Sequence, residues 1–191
     1  MLHGTAGTGK SYISLYKAFD EVLSKSNIYT NVIIVRSAVP SRDIGHLPGD
    51  VDDKIDIYQQ PYKEICTNLF SRGDAYNRLV EQDKLSFIST SYVRGVTFDN
   101  SILIVDEIQN MSFQELDTIF TRIGHHSKII MCGDLRQCDL QKKGSQEKSG
   151  LREFISIAKS MSCFDMVEFL PSDIVRSSMV KEYIIARDAM T

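Results

Sequence analysis

The sequence predicts an α/β fold, a mostly parallel sheet with helices on both faces, and three observations carry that prediction. The first is a glycine-rich stretch, Gly4-Thr5-Ala6-Gly7-Thr8-Gly9-Lys10-Ser11, which fits G-x-x-x-x-G-K-[ST] at every fixed position. The second is an apolar helical stripe after that loop, followed by the short β-branched run Asn31–Arg36. A helix between such a loop and a buried strand is the βαβ signature. The third is a second buried-strand run, Ser101-Ile102-Leu103-Ile104-Val105, that ends in Asp106-Glu107. With 191 residues, 42% of them hydrophobic, the chain has room for the core of a single domain spanning residues 1–191.

The elements follow in order. Only Met1, Leu2 and His3 precede Gly4, whereas the loop should leave a buried strand of five or six residues. Either the first strand is truncated to a stub or the true start lies upstream of Met1; the reading favours the second, because a central strand is a large part of a parallel-sheet core. Ser11–Lys25 is predicted helical, with Tyr12, Leu15, Tyr16, Phe19, Val22 and Leu23 as its inner stripe. After the strand Asn31–Arg36, the stretch Ser37–Asp53 reads as a polar loop at the carboxyl edge of the sheet, where open α/β folds bind ligands. Helices are predicted over Lys54–Ser71, with Pro61 as a candidate kink, and Asp74–Glu81, then a short strand Leu85–Thr90. Ser112 and Glu115 form a capping box opening a helix whose inner face is Phe113, Leu116, Ile119, Phe120 and Ile123, ended by Gly124. A strand Lys128–Cys132 leads into Gly133-Asp134-Leu135-Arg136-Gln137. The polar stretch Leu140–Gly150, with Lys142, Lys143 and Lys148, reads as a surface loop or a nucleic-acid loop. A helix Leu151–Ser160, a strand Met166–Leu170 and a terminal helix through Val180, Tyr183 and Ile184 close the chain.

Composition excludes several classes. The net charge of −3 gives no global basic signature of a nucleic-acid binder. Cys66, Cys132, Cys138 and Cys163 are scattered, so neither a disulfide framework nor a zinc site is predicted; Cys132, Cys138, His125 and His126 fit no common zinc spacing. There is no signal-peptide pattern and no apolar run near 18 residues, so no membrane contact is expected.

The chemistry-bearing residues fit one reaction class. Glycines 4, 7 and 9 let the loop backbone bring its N–H groups close to phosphate, beside a helix N-terminus that favours an anion. Thr5, Ala6 and Thr8 complete that cradle, and Lys10 would reach β- and γ-phosphates. Ser11 supplies a hydroxyl for Mg²⁺, a hard cation that prefers oxygen. Asp106, at the end of a buried strand, would hold the same Mg²⁺, as in a Walker B element, and Glu107, one step on, suits a base for attacking water. Gln137 would bond a γ-phosphate oxygen or orient water. Arg36, Ser37 and Arg42 lie where a second ligand would bind.

These pieces follow the order of a RecA-like P-loop ATPase, and the sequence resembles the PhoH family in a short, phage-like form. The resemblance rests on the P-loop; Arg36-Ser37-Ala38-Val39 with His46-Leu47-Pro48-Gly49-Asp50; Tyr92-Val93-Arg94-Gly95; Asp106-Glu107-Ile108-Gln109-Asn110; Gly133-Asp134-Leu135-Arg136-Gln137; and Asp173-Ile174-Val175-Arg176. It implies an ATP-binding, Mg²⁺-dependent hydrolase related to the first RecA-like domain of superfamily 1 helicases, in the cytoplasm of a bacterial cell or a phage-infected host. It also implies coupling to single-stranded RNA or DNA, through Arg36, Ser37, Arg42, Tyr92 and Arg94. Some members of that family carry a fused PIN nuclease domain or a KH-like region; neither pattern is read in this sequence, so no nuclease activity is expected. Neither a second RecA-like domain nor adenine-reading residues ahead of the P-loop are present in this sequence. One domain can do ATP-driven work only with a neighbouring copy, so a homo-oligomer, such as a ring, is expected, with Arg176, or else Arg136, inserted from the neighbour.

Two other functions stand against the hydrolase. A non-catalytic module that changes partners with ATP occupancy is favoured by the incomplete first strand. A small-molecule kinase is disfavoured by Glu107, which suits water as the nucleophile.

Overall fold

A computed structural model describes residues 1–37, 51–135 and 150–189, with backbone alone over 51–55. The described elements run β1 (Leu2–Gly4), α1 (Lys10–Val22), β2 (Asn31–Arg36), α2 (Val51–Phe70), α3 (Ala75–Glu81), β3 (Leu85–Ser89), β4 (Ser101–Asp106), α4 (Phe113–Phe120), β5 (Lys128–Gly133), α5 (Leu151–Ala158), β6 (Val167–Phe169) and α6 (Ser178–Ala189). The strands form one sheet in the order β3-β2-β4-β5-β1-β6, and every pairing is parallel. All carboxyl ends therefore share one edge, and β5 separates the P-loop strand from the Asp106 strand.

Alternation along the buried strands divides the core between the two faces. Val32, Ile34, Ile102 and Ile104 pack with α1, α2 and α3 through Leu15, Phe19, Tyr62, Cys66 and Leu79. Ile33, Val35, Leu103, Val105 and Met131 pack on the other face with α4 and α5 through Leu116, Ile119, Leu151 and Phe154. Helix α2 runs through Pro61 without interruption of its range. Helix α4 opens on the predicted capping box: Ser112 accepts from the Glu115 N–H, and Glu115 accepts from the Ser112 N–H at 2.9 Å.

Three sequence-based expectations are corrected. The buried face of α1 is Ser14, Leu15, Ala18, Phe19 and Val22, while Tyr12, Tyr16 and Leu23 are exposed. Two serines account for this rotation: the Ser11 hydroxyl is committed to Asp106 and the Ser14 hydroxyl to Lys10 O and Cys132. Gly124 does not end α4, which is capped at Thr121; it packs against Phe98 O and the Asp99 side chain, where a Cβ would fall 2.1 Å from Asp99 Oδ1. In α6, only Ile184 is buried, and Val180 and Tyr183 face out. The first strand exists as the three-residue β1, held between β5 and β6.

Candidate functional site

The site is a cleft of about 720 Å³ along the carboxyl edge of the sheet, lined by the P-loop, the first turn of α1, the ends of β2, β4 and β5, and residues of α2. The P-loop leaves β1 and turns back through Gly7 and Gly9, with φ of 78° and 81°. Gly9 is the N-cap of α1, so the loop ends on a helix N-terminus aimed into the cleft. Lys10 Nζ donates to Gly4 O and Thr5 O, both at 2.8 Å, and thus sits inside the curl of its own loop. Burial lowers the Lys10 ammonium from its ordinary value, opposed chiefly by the negative charge of Asp134.

Across the cleft, Asp106 ends a strand in which every residue is buried. Its carboxylate accepts from Ser11 Oγ at 2.9 and 3.0 Å, from the Glu107 N–H at 3.0 Å, and from Tyr62 Oη at 2.9 Å. Burial, and next the Asp106 charge, push the Tyr62 phenol well above its ordinary value, which keeps it a donor. The Ser11–Asp106 pairing places a hydroxyl and a carboxylate oxygen together, an oxygen-only donor set that fits a hard divalent cation such as Mg²⁺. No group of three or more His, Cys, Asp or Glu side chains is placed to hold a metal ion among the described residues.

Glu107 adopts φ 56°, ψ 41°, a left-handed conformation unusual outside glycine. This turn breaks the strand and sends the Glu107 carboxylate to the Gln109 side-chain amide. Gln109, itself buried, accepts from the Asp134 N–H at 3.1 Å through Oε1. Gly133 permits this approach, since a Cβ there would lie 2.5 Å from the Ile108 side chain and 2.8 Å from Gln109 Oε1. Gln109 thereby ties Glu107 to the end of β5.

The remaining sequence-predicted residues divide. Arg36 lines the cleft, pairs in register with Asp106, and holds its guanidinium 5.6 Å from the Tyr58 ring. Ser37 is buried and its hydroxyl donates to Glu115 Oε1 at 3.4 Å. Tyr92 and Arg94 are exposed beyond β3, at the outer end of the same sheet edge. Arg176 lies against its own P-loop: the Val175 N–H donates to Gly7 O at 3.1 Å, and the Arg176 side chain would meet a Cβ on Gly7 at 3.1 Å. Arg42, Arg136, Gln137 and the 46–50 stretch lie outside the described residues. Tyr62 and Gln109 were not singled out for the site by sequence; the first reads as core at helical spacing, and the second stands within the Asp106–Asn110 piece without a visible partner.

Comparison with known proteins identifies the family. The model of the family described as PhoH-like protein matches residues 1–188. A PhoH-like protein of Bacillus subtilis is 34% identical over 186 residues, 97% of this chain and 56% of the relative. A PhoH-like protein of Synechocystis is 32% identical over 96% of this chain and 54% of its own, and the protein PhoH of Escherichia coli is 31% identical over 96% and 51%. The chain spans about half the length of these curated relatives. No helix among the described residues is long and apolar enough to cross a membrane. With the family model matched over nearly its whole length and the P-loop intact within it, this chain belongs to the PhoH family of P-loop proteins.

Proposed function

We propose that this chain is a Mg²⁺-dependent ATP hydrolase. The observation that carries the reading is the meeting, in one cleft, of Lys10 inside a P-loop, the Ser11–Asp106 oxygen pair and the tethered Glu107 carboxylate. The P-loop residues Gly4 to Ser11 bind the phosphates through backbone N–H groups and the Lys10 ammonium. Mg²⁺, held by Ser11 Oγ and Asp106, would neutralise charge on the β- and γ-phosphate oxygens. Water attacks the γ-phosphorus and gives its proton to the Glu107 carboxylate, while the β–γ bridging oxygen leaves with its electron pair beside Lys10. Arg176 stabilises the γ-phosphate charge from the same chain, as its position beside Gly7 favours. Gln137, which follows β5 in the sequence, responds to γ-phosphate.

We extend the reading to a cytoplasmic homo-oligomer whose ATP turnover is coupled to single-stranded RNA or DNA, contacted through Arg36, Ser37, Arg42, Tyr92 and Arg94. Within it, the buried hydroxyl of Ser37 would act through its bond to Glu115 rather than by touching nucleic acid itself. The test is phosphate release from Mg·ATP, with and without single-stranded RNA, for the wild type and Glu107→Gln. The variant should keep ATP binding and lose about 10²–10⁴-fold in turnover, the usual contribution of a positioned base. Unchanged turnover in Glu107→Gln would remove Glu107 from the chemistry. Binding of ATP without turnover in the wild type would favour a nucleotide-controlled binding module.

A further inference from the structure

We infer that Tyr62 is a positioning residue for the metal-holding carboxylate of Asp106, an inference that rests on the hydrolase reading above. Tyr62 lies mid-way along α2 and is 1% exposed, yet its hydroxyl reaches 44 residues along the chain to Asp106 Oδ2 at 2.9 Å. The carboxylate then carries a donor on each oxygen besides Ser11: the Glu107 N–H on Oδ1 and the Tyr62 O–H on Oδ2. An ionised carboxylate has about four lone-pair directions. When Ser11 turns its oxygen to a cation, those two remaining bonds still hold both ends of the carboxylate plane. One lone pair on each oxygen is then left with a fixed direction. Without Tyr62, only Oδ1 is held and the carboxylate is free to rotate about its bond to the chain.

Such support from behind a ligand typically changes metal affinity by about 10–100-fold. A core role alone would not require this contact, because the Tyr62 ring already packs with Phe87 at a centroid distance of 5.9 Å and would do so as phenylalanine. Helix α2 also carries Tyr58, one turn earlier, under the Arg36 guanidinium. The same helix thus seats side chains against two neighbouring residues of the sheet edge, Arg36 and Asp106.

The experiment is Mn²⁺ titration of the ADP complex, followed by electron paramagnetic resonance, for the wild type, Tyr62→Phe and Tyr76→Phe. Tyr76 is a buried tyrosine of α3 in the same core cluster and serves as the structural control. Tyr62→Phe should weaken Mn²⁺ binding about 10-fold, leave ADP affinity in EDTA unchanged and still unfold in one cooperative thermal transition, at a lower temperature for the lost bond. Tyr76→Phe should bind Mn²⁺ like the wild type. Unchanged Mn²⁺ affinity in Tyr62→Phe, or an equal loss in both variants, would overturn the positioning role while leaving the hydrolase reading intact. Failure of the wild type to bind Mn²⁺ with ADP would overturn both.

Discussion

The two halves of the sheet hold the cleft in different ways. On the acidic side, β2 pairs with β4 from Asn31↔Ser101 to Arg36↔Asp106, and all of β4 is buried. Asp106 is therefore aimed by a core packed on both faces, and side-chain bonds from Ser11 and Tyr62 finish the alignment. On the phosphate side, β1 meets β5 only over Leu2↔Cys132 and His3↔Gly133, and β6 over Leu2↔Val167 to Gly4↔Phe169. Here the loop is held by backbone contact: Gly4 against Phe169, and the Val175 N–H on Gly7 O. One half has packing to spare. The other depends on a few close approaches, so single changes there should do more.

The largest expected effect tests the phosphate side. Arg176→Ala should cut ATP turnover about 10³-fold or more, the scale of an arginine that stabilises the transferring phosphate, while ATP binding remains. Because Arg176 lies at its own P-loop, mixing Arg176→Ala chains with Lys10→Ala chains should restore nothing in a phosphate-release assay. Recovery in the mixture would hand the arginine to a neighbouring copy. Next comes Gly4→Ala. Gly4 has φ 131°, and a Cβ there would fall 2.1 Å from Phe169 O. Overpacking and backbone strain, at about 1–3 kcal/mol each, together predict a loss of about 4 kcal/mol in denaturant unfolding. A loss below about 1 kcal/mol would mean that β1 and β6 can separate cheaply, and the contrast between the halves would fail.

The same contrast decides what was legible in the sequence. Strands β2 and β4 were readable to within a residue, since continuous β-branched runs have no other economical home than a buried parallel sheet. The P-loop, Asp106 and Glu107 were readable because their spacing is local. The rotation of α1 was not, because it is set by Ser11 and Ser14 bonding to partners on β4 and β5, 95 and 118 residues away. The hydroxyl of Tyr62 and the amide of Gln109 were hidden for a related reason. A side chain's periodicity reports that it is buried, not which polar atom waits for it inside. Arg176 stands out by motif, but its position beside Gly7 depends on the 174–176 segment returning to the P-loop, which only the fold reveals.

The smallest effect sharpens the acidic side. Glu115 Oε2 accepts from the Ser112 N–H and hydroxyl, both at 2.9 Å, as half of the α4 capping box. Its other oxygen accepts from Thr90 Oγ1 at 2.8 Å, which ties the turn after β3 to the start of α4. Ser112→Ala removes the cap alone and should cost about 1 kcal/mol. Glu115→Ala removes the Ser112, Thr90 and Ser37 bonds together and should cost about 2 kcal/mol, since hydrogen bonds to a charged group exceed neutral ones. Denaturant unfolding measures both losses, and ATP binding should be unchanged in each, because β4 and its core still aim Asp106. Equal losses would show that the Thr90 and Ser37 ties contribute nothing. A fall in ATP affinity in either variant would mean that the acidic half depends on this network, not on its core, and the two halves would then be alike.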